Sequence, residues 1–274
     1  MLYIGLPQWT HPEWVRQGFG IRSLADYARY FNCVEGDTTL YAVPSPEIVQ
    51  RWRAQTHDDF RFCFKFPTTI THKAALHNCG DLTREFLDRM SPLADRMGQF
   101  WIQLPARFGP EALPALWLFL DSLPGEFRYG VEVRHQAFFN RGEEERALNR
   151  GLHQRGVNRV VLDSRPVHSA AALSLPFREA RQQKPKLPVH AVLTATDPMI
   201  RFISSADMTI NRQLFSDWVN RLQKWQGEAS PWLFLHTPDM ALTPALIEAL
   251  WPQIQQISPA IGPAPNIPNQ ISLL

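Results

Sequence analysis

Short runs of apolar and β-branched residues recur along the chain, and longer amphipathic stretches separate most of them. The stretches SPEIVQRWRAQ and NRQLFSDWVNRLQKW, for example, carry apolar residues at the spacing of a helix. The runs that predict strands are LYIG (2–5), CVEGDTT (33–39), FRFCFKF (60–66), QFWIQL (99–104), FRYGVEV (127–133), NRVVLD (158–163), PMIRFI (198–203) and PWLFLH (231–236). Strands that alternate with helices predict a parallel α/β fold.

The number of these units favours a closed barrel. Eight strands with intervening helices in about 250 residues have the size of a (β/α)8 TIM barrel. A doubly wound open sheet is the rival, but no strand is followed by the glycine fingerprint of a dinucleotide-binding fold. We therefore predict an α/β (β/α)8 TIM barrel, a single domain over residues 1–257 with a long insertion after strand 6.

Two segments interrupt the alternation of strands and helices. Residues 164–192 show no convincing long helix, and we expect a long basic loop or a lid there. Its basic side chains outnumber a single acid, Glu179; they are Arg165, Arg178, Arg181, Lys184 and Lys186. Residues 258–274 are rich in proline, and we expect a loosely packed C-terminal tail.

Composition and charge narrow the class of protein. A hydrophobic content of 45% with 20% charged residues is that of an ordinary globular protein. The net charge of 28 minus 26, or +2, indicates neither a nucleic acid nor a membrane as partner. Three cysteines without paired spacing argue against a disulfide framework or a zinc knuckle. The start MLYIGLPQW lacks a signal peptide's basic region, so we expect a cytoplasmic protein.

Side-chain alternation predicts which strand residues share a face. In FRFCFKF the four phenylalanines lie on one face, which we expect to pack against helices, while Arg61, Cys63 and Lys65 point inward. The same argument predicts an inward direction for polar residues near other strand ends, namely Glu35, Asp37, Gln103, Glu132, Arg134, Asp163 and His236. Barrel enzymes keep their active sites at the C-terminal ends of the strands, so these residues predict a pocket.

The alternative to a pocket is a buried ion-pair network that closes the barrel without chemistry. Desolvation usually cancels the attraction within such a network, which makes it a weak source of stability. The pocket is therefore favoured.

Several motifs resemble those of the DUF72 (YecE-like) family. They are IGLPQWTHPEW, VEGDTTLYAVPSPEIVQRW, FRFCFKFPTTITH, FWIQLPARF and YGVEVRHQAFF, in the family's order and spacing along nearly the whole chain. The resemblance implies a TIM-barrel fold. The positions that match family motifs are Glu35, Lys65, His72, Gln103, Glu132, Arg134 and His135. The resemblance implies no reaction, because the family is named for its unknown function.

The chain departs from the family pattern at three strand ends. Asp37 adds a negative charge where an asparagine is more usual. Strand seven ends RFISSAD in place of a His-Gly pair, and strand eight ends LHTPD in place of paired asparagines. The resemblance therefore assigns no site residues at the ends of strands seven and eight.

The candidate residues suit proton exchange and anion binding. Lys65 could bind an anion or act as a base or Schiff-base amine, and the neighbouring carboxylates favour its charged, anion-binding form. His72 and His135 could exchange protons with Glu35 or Glu132, although histidines of this kind are as often structural hydrogen-bonding groups.

A metal site and stacking side chains are the other chemistry to consider. Acids and histidines gather at the strand ends, but no HxH or HExxH spacing occurs, and Lys65 and Arg134 bring positive charge. We predict no metal and no cofactor, without excluding a divalent cation.

The aromatic residues Trp9, Tyr41 and Phe138 could stack on sugars or bases, or could simply pack in the core.

Taken together, the pattern predicts an enzyme of the hydrolase or isomerase type. The catalytic candidates are Glu35, Lys65, His72, Glu132 and His135. The substrate-binding candidates are Trp9, Asp37, Tyr41, Gln103, Arg134, Phe138, Asp163 and His236. We expect an anionic substrate, phosphorylated or sugar-containing, and no membrane. The alternatives are a nucleic-acid-binding or repair protein similar to endonuclease IV-type barrels, and a partner-binding scaffold with a vestigial pocket.

Overall fold

The computed structural model describes residues 1–265, in which parallel strands alternate with helices. The strands are β1 (Tyr3–Gly5), β2 (Cys33–Gly36), β3 (Arg61–Lys65), β4 (Met97–Gln103), β5 (Tyr129–Glu132), β6 (Asn158–Arg159), β7 (Val161–Asp163), β8 (Met199–Ile203) and β9 (Trp232–His236). The helices are α1 (Pro12–Arg16), α2 (Leu24–Tyr27), α3 (Pro46–Ala54), α4 (Gly80–Met90), α5 (Leu113–Asp121), α6 (Glu143–Gln154), α7 (Arg165–Ser169), α8 (Leu175–Gln183), α9 (Met208–Gln226) and α10 (Thr243–Ile257).

Local sequence signals explain where several helices begin. Ser45 caps α3 by accepting a hydrogen bond from the Ile48 amide, and Pro46 occupies the first helical position. Asp207 caps α9 by accepting hydrogen bonds from the amides of Thr209 and Ile210. These caps fix the loops that connect the strands to the helices behind them.

The strands form two parallel sheets. One sheet has the order β1-β9-β8-β7 and the other the order β2-β3-β4-β5-β6, and the strand pairs are parallel. The parallel α/β class is therefore confirmed. The single closed barrel is not confirmed, because residues 1–265 contain no sheet whose ladder closes on itself.

The two sheets approach each other at both edges. Between β1 and β2 the Glu35 amide donates a hydrogen bond to the Leu6 carbonyl at 3.0 Å, beyond the end of β1. At the other edge Val160 alone separates β6 from β7, and its amide bonds the Val131 carbonyl at 2.9 Å. The strands at these edges are two to four residues long, which leaves too few ladder hydrogen bonds to join the sheets.

The two faces of β3 divide as the alternation predicts. The phenylalanines pack against helices: the Phe64 ring lies 5.4 Å from Trp52 of α3 and 5.5 Å from Phe62. Cys63 lies on the opposite face, in a separate buried cluster to which both sheets contribute. Its members are Cys33, Cys63, Trp101, Val160, Met199, Trp232 and Phe234. Arg61 is the exception, because its guanidinium turns back to the Asp58 carbonyl, 2.6 Å away.

The segment 164–192 is more ordered than the sequence predicts. It contains the helices α7 and α8, whereas its pattern predicted a loop without a long helix. These helices are only five and nine residues long, so the apolar periodicity is too brief to recognise. Whether the segment acts as a lid stays a prediction.

Helix α10 ends at Ile257, and the domain boundary predicted at this residue stays a prediction. Beyond it, the Trp251 indole donates a hydrogen bond to the Gly262 carbonyl at 3.1 Å. The rest of the predicted tail, residues 266–274, lies outside the described residues. No helix in the described part of the chain is both long and apolar enough to cross a membrane.

A glycine substitution tests the approach of β1 to β2. A Cβ atom on Gly5 would lie 2.3 Å from the Cys33 carbonyl oxygen, so Gly5→Ala should lower the free energy of unfolding by about 1–3 kcal/mol. A methyl group added to Gly80, the first residue of α4, would have no neighbouring atom within 4 Å, and Gly80→Ala should be neutral or slightly stabilising. Urea titration measures both variants, and equal stability for the two would contradict the close approach.

Candidate active site

Arg201 lies at the centre of a buried network of charges. Its Nη2 donates a hydrogen bond to Glu35 Oε1 at 2.8 Å, and its Nη1 donates one to Glu132 Oε2 at 3.1 Å. Arg201 belongs to β8, Glu35 to β2 and Glu132 to β5, so one guanidinium joins residues of the two sheets. All three residues are inaccessible to solvent.

Lys65 extends the network at the C-terminal end of β3. Its Nζ lies 2.9 Å from Glu35 Oε1 and also forms an ion pair with the Asp37 carboxylate. The Lys65 ammonium and the Arg201 guanidinium each lie 4.5 Å from the centre of the Trp101 ring. An indole ring attracts cations to its face, so Trp101 stabilises both positive charges.

Arg134 connects the network to the surface. Its Nε and Nη2 lie 2.8 and 2.7 Å from Glu132 Oε1. Its side chain retains 15% of its exposure, whereas that of Glu132 retains none. Glu132 is therefore a buried carboxylate and Arg134 a partly exposed cation. Lys65 and Glu132 meet in the same network, as the sequence predicts.

The cations keep both buried carboxylates ionised. Burial alone would raise the pKa of Glu35, but the charges of Arg201 and Lys65 and the hydrogen bond with His236 hold that pKa well below its usual value. Burial opposes the ionised form of Glu132 as well, and Arg134 and Arg201 lower its pKa to about 2. Both side chains are thus hydrogen-bond acceptors at neutral pH.

His236, the last residue of β9, contacts the same carboxylate. Its Nε2 lies 2.7 Å from Glu35 Oε2. Because Glu35 is ionised, we assign the ring proton to Nε2, which then donates to the carboxylate. Burial lowers the pKa of His236 to about 4, with repulsion from Arg201 adding to the effect. His236 is therefore a neutral imidazole at physiological pH.

Asp37 differs from Glu35 and Glu132, because its pKa is raised and theirs are lowered. The Asp37 side chain retains 37% of its exposure; its partial burial and the nearby charge of Glu35 raise its pKa to about 6, although Lys65 acts in the other direction. A carboxylic acid with this pKa exchanges its proton close to neutral pH, as a general acid or base must.

A cavity of about 280 Å³ opens at the C-terminal ends of the strands, next to the network. Residues that line it include Pro7, Gln8, Asp37, Lys184, His236 and Thr237. Asp37 and His236 both line this cavity and bind network residues, so they connect the two.

Lys184 enters the cavity from the end of α8. Burial lowers the pKa of Lys184 to about 7, and repulsion from Arg201, Lys65 and Arg134 contributes. A large fraction of its amine is therefore neutral near physiological pH.

The predicted catalytic histidines do not line the cavity. His72 lies in a single π-helical turn, Thr69–Lys73, where its Nδ1 is 2.8 Å from Thr71 Oγ1. Burial and the charges of Arg134 and Arg107 lower the pKa of His72. His135 accepts a hydrogen bond from the Ala137 amide at 3.2 Å and so caps the turn Gln136–Phe139.

The predicted aromatic contacts belong to the core or to the surface. Trp9 packs edge-on against Trp52, and Phe138 is fully buried in the main core. Tyr41 retains 79% of its exposure and does not line the cavity. Core packing therefore accounts for Trp9 and Phe138.

The predicted substrate-binding residues Gln103 and Asp163, both on strands, lie on different sides of their sheets. Gln103 is buried, and the alternation of β4 places it on the same face as Trp101, which belongs to the inner cluster. Asp163 was predicted to point inward, and this is wrong. Its Oδ2 accepts a hydrogen bond from the Trp218 indole of α9 at 2.8 Å, and Arg165 lies at the same distance, on the helix side of the sheet.

Sequence reasoning missed two residues of the site. Arg201 lies in the middle of the apolar run MIRFI, two residues after Met199, and therefore shares the inward face of Met199. A single charged residue at such a position is the signal that could have identified it. Lys184 gives no such signal, because it is one of several basic residues in a segment of irregular pattern.

The donor set does not favour a metal. Among the described residues, no three His, Cys, Asp or Glu side chains are grouped closely enough to hold an ion. The carboxylates of Glu35 and Glu132 already accept from Arg201, Lys65 and Arg134.

Comparisons with known proteins agree with one another. A family model described as "Protein of unknown function DUF72" matches residues 3–270. The protein described as "UPF0759 protein YecE" from Escherichia coli is 66% identical over 273 residues, which cover 100% of each chain.

Solved structures share the fold. A DUF72 family protein from Enterococcus faecalis superposes with a TM-score of 0.74 at 19% identity, covering 99% of this chain and 100% of that one. One from Thermotoga maritima gives a TM-score of 0.64 at 18% identity, covering 93% and 99%. At these identities the likeness concerns the fold alone.

The pH dependence of stability tests the ionisation of Glu132. Its folded pKa of about 2 lies below the ordinary unfolded value, so its charge stabilises the fold above about pH 4.3, and that contribution is lost as the pH falls. The contribution is about 3 kcal/mol. Glu132→Gln should flatten the slope of unfolding free energy between about pH 5 and pH 3, measured by urea titration. The exposed variant Glu85→Gln should keep the wild-type slope, and an unchanged slope in Glu132→Gln would contradict the assignment.

Proposed function

Because the chain belongs to the DUF72 family, whose function is unknown, its chemistry has to be argued from its site, and we propose that it is an acid/base enzyme for a small anionic substrate. The motif resemblance to this family is thereby confirmed. The observation that carries the proposal is the cavity lined by Asp37, His236 and Lys184 beside the buried network.

The cavity suits a small metabolite. Its volume of about 280 Å³ is at the lower end of the range for ligand pockets, and it lies at the strand ends where α/β enzymes bind substrates. The charged form of Lys184, which predominates below its pKa of about 7, supplies positive charge inside it, and Arg134 supplies a partly exposed guanidinium near the surface. A phosphorylated or otherwise anionic compound with a sugar-like body fits these features.

The groups that exchange protons are Asp37 and Lys184. Their pKa values of about 6 and about 7 lie just below and at neutral pH, so both groups exchange protons there. His236 is neutral and held by Glu35, so it orients a substrate instead of exchanging protons. Isomerisation and hydrolysis both need such an acid/base pair.

We also propose that the two sheets act as the halves of a split (β/α)8 arrangement. The hydrogen bond from the Glu35 amide to the Leu6 carbonyl, and the single residue between β6 and β7, support this. In such an arrangement the charge network fills the top of the interior and forms the floor of the cavity.

Basic side chains of segment 164–192 are already in contact with other parts of the fold, and this favours the small-molecule function over nucleic-acid binding. Arg165 forms ion pairs with Asp163 and Asp217, and Arg181 donates a hydrogen bond to the Val167 carbonyl at 2.7 Å. These side chains are engaged within the fold, so the segment does not present an array of phosphate contacts.

Sulfate binding tests the anion site. At about pH 5.5 Asp37 is largely protonated and Lys184 is charged, whereas at about pH 8 Asp37 is charged and Lys184 is largely neutral. Sulfate remains a dianion throughout, so its affinity should fall several-fold as the pH rises, measured from the rise in melting temperature with concentration. Lys184→Gln should lose the saturable part of this rise, and Lys186→Gln should keep it. A rise that never saturates would indicate general salt stabilisation and contradict the site.

Oligonucleotide binding separates the two functions. We expect no binding of single- or double-stranded DNA at physiological salt by fluorescence anisotropy. A linear dependence of log affinity on log salt with a steep negative slope would instead support the nucleic-acid alternative.

A further inference from the structure

We propose that Lys184 is an imine-forming lysine and that the substrate of the cavity is an aldehyde or ketone that carries an anionic group. This inference rests on the proposed function, because it assigns the substrate class of the same site.

The backbone around Lys184 is firmly held. Its amide donates a hydrogen bond to the Ala180 carbonyl at 2.8 Å, and its carbonyl lies 3.1 Å from His168 Nε2. Ser164 Oγ donates to the carbonyl of the next residue, Pro185, at 2.7 Å. Three contacts from different parts of segment 164–192 thus fix the position from which the amine enters the cavity.

The amine itself is free to react. Within residues 1–265, Lys184 Nζ makes no ion pair and no hydrogen bond. Glu179 also lines the cavity, one turn away on α8, but it is exposed and forms no ion pair with Lys184. The charges that shift the pKa of Lys184 from the strand ends are those of Arg201, Lys65, Arg134 and Glu132, of which three are cations, and Asp37 lines the same cavity. This surrounding favours the neutral, nucleophilic amine.

Lys65, the lysine whose sequence position first suggested Schiff-base chemistry, is in a different situation. Its amine is engaged in ion pairs with Glu35 and Asp37 and lies over the Trp101 ring. Lys65 therefore supports the network, and Lys184 is the amine available to a carbonyl carbon.

Asp37 provides the proton transfers that imine formation needs. The neutral amine attacks the carbonyl carbon while the carbonyl oxygen takes a proton from the Asp37 acid, and the nitrogen then returns a proton to the Asp37 carboxylate. A second proton from Asp37 allows the hydroxyl group to leave as water as the C=N bond forms, which gives a protonated imine beside the Asp37 carboxylate. One neutral amine, one carbonyl and the Asp37 proton give one protonated imine and one water, and no electrons are exchanged with another compound.

Reductive trapping tests the proposal. The wild-type protein is incubated with dihydroxyacetone phosphate or pyruvate and sodium borohydride at about pH 7.5, which reduces an imine to a stable secondary amine. Peptide mapping by mass spectrometry then locates the label among the five lysines, Lys65, Lys73, Lys184, Lys186 and Lys224. We expect at least about ten-fold more label at Lys184 than at any other lysine, because an ordinary lysine with a pKa near 10.4 is almost entirely protonated at this pH.

Control compounds test whether labelling depends on the anionic group of the substrate, and control variants test whether it depends on Lys184 in a folded protein. Acetone, which has no anionic group, should label Lys184 less than the two anionic carbonyl compounds, and excess sulfate should suppress the label. Lys184→Arg should abolish the label at this position, and its melting curve shows whether it is folded. Lys186→Arg should leave the label at Lys184 unchanged.

Three outcomes are distinguishable. Label concentrated at Lys184 and suppressed by sulfate supports the proposal. Saturable sulfate binding to the wild-type protein without selective label overturns the imine-forming role and leaves the anionic substrate standing. Absence of both overturns this proposal together with the proposed function.

Discussion

The contact between Arg201 and the carboxylates of Glu35 and Glu132 is the interaction on which the site depends. Two carboxylates without access to water cannot both stay ionised unless a cation compensates them, and one guanidinium contacts both. Because the three residues come from β8, β2 and β5, the same contact fixes the two sheets relative to each other at the level of the cavity. Removing one partner would leave a buried charge uncompensated, which is far more costly than losing a surface ion pair.

Burial and the charges of this network together set the protonation of the groups that face the cavity. Glu35 and Glu132 lie inside the network and stay charged. His236 is buried beside Arg201 and stays neutral. Burial raises the pKa of Asp37 and lowers that of Lys184, and like charges add to both shifts, from Glu35 on Asp37 and from Arg201 and Lys65 on Lys184. Neighbouring groups with pKa values moved into the physiological range are typical of acid/base sites.

Sequence reasoning predicted the strands and the face of β3 because the alternation in FRFCFKF is unambiguous. It was wrong about Asp163 because NRVVLD is buried on both faces, so alternation alone gives no direction: Asn158 and Val160 in fact point inward. It predicted that Glu35, Lys65 and Glu132 would converge, since their strands end at the same level. Arg201 and Lys184 were missed, because their roles depend on contacts between distant segments, which no local pattern reports. The closed barrel was not confirmed, because the strands at the sheet edges are only two to four residues long and do not join the two sheets. The sequence did not predict this, since tertiary packing decides the length of these strands.

The central claim is that the buried charges shift the ionisation of the cavity's own groups. The most direct measurement is a titration of the Asp37 side-chain carboxyl by carbon-detected NMR in the intact protein. The account predicts a midpoint near pH 6, well above the ordinary aspartate value of about 3.9. A midpoint at the ordinary value would show that Asp37 does not experience the network, and would contradict the acid/base site built on it.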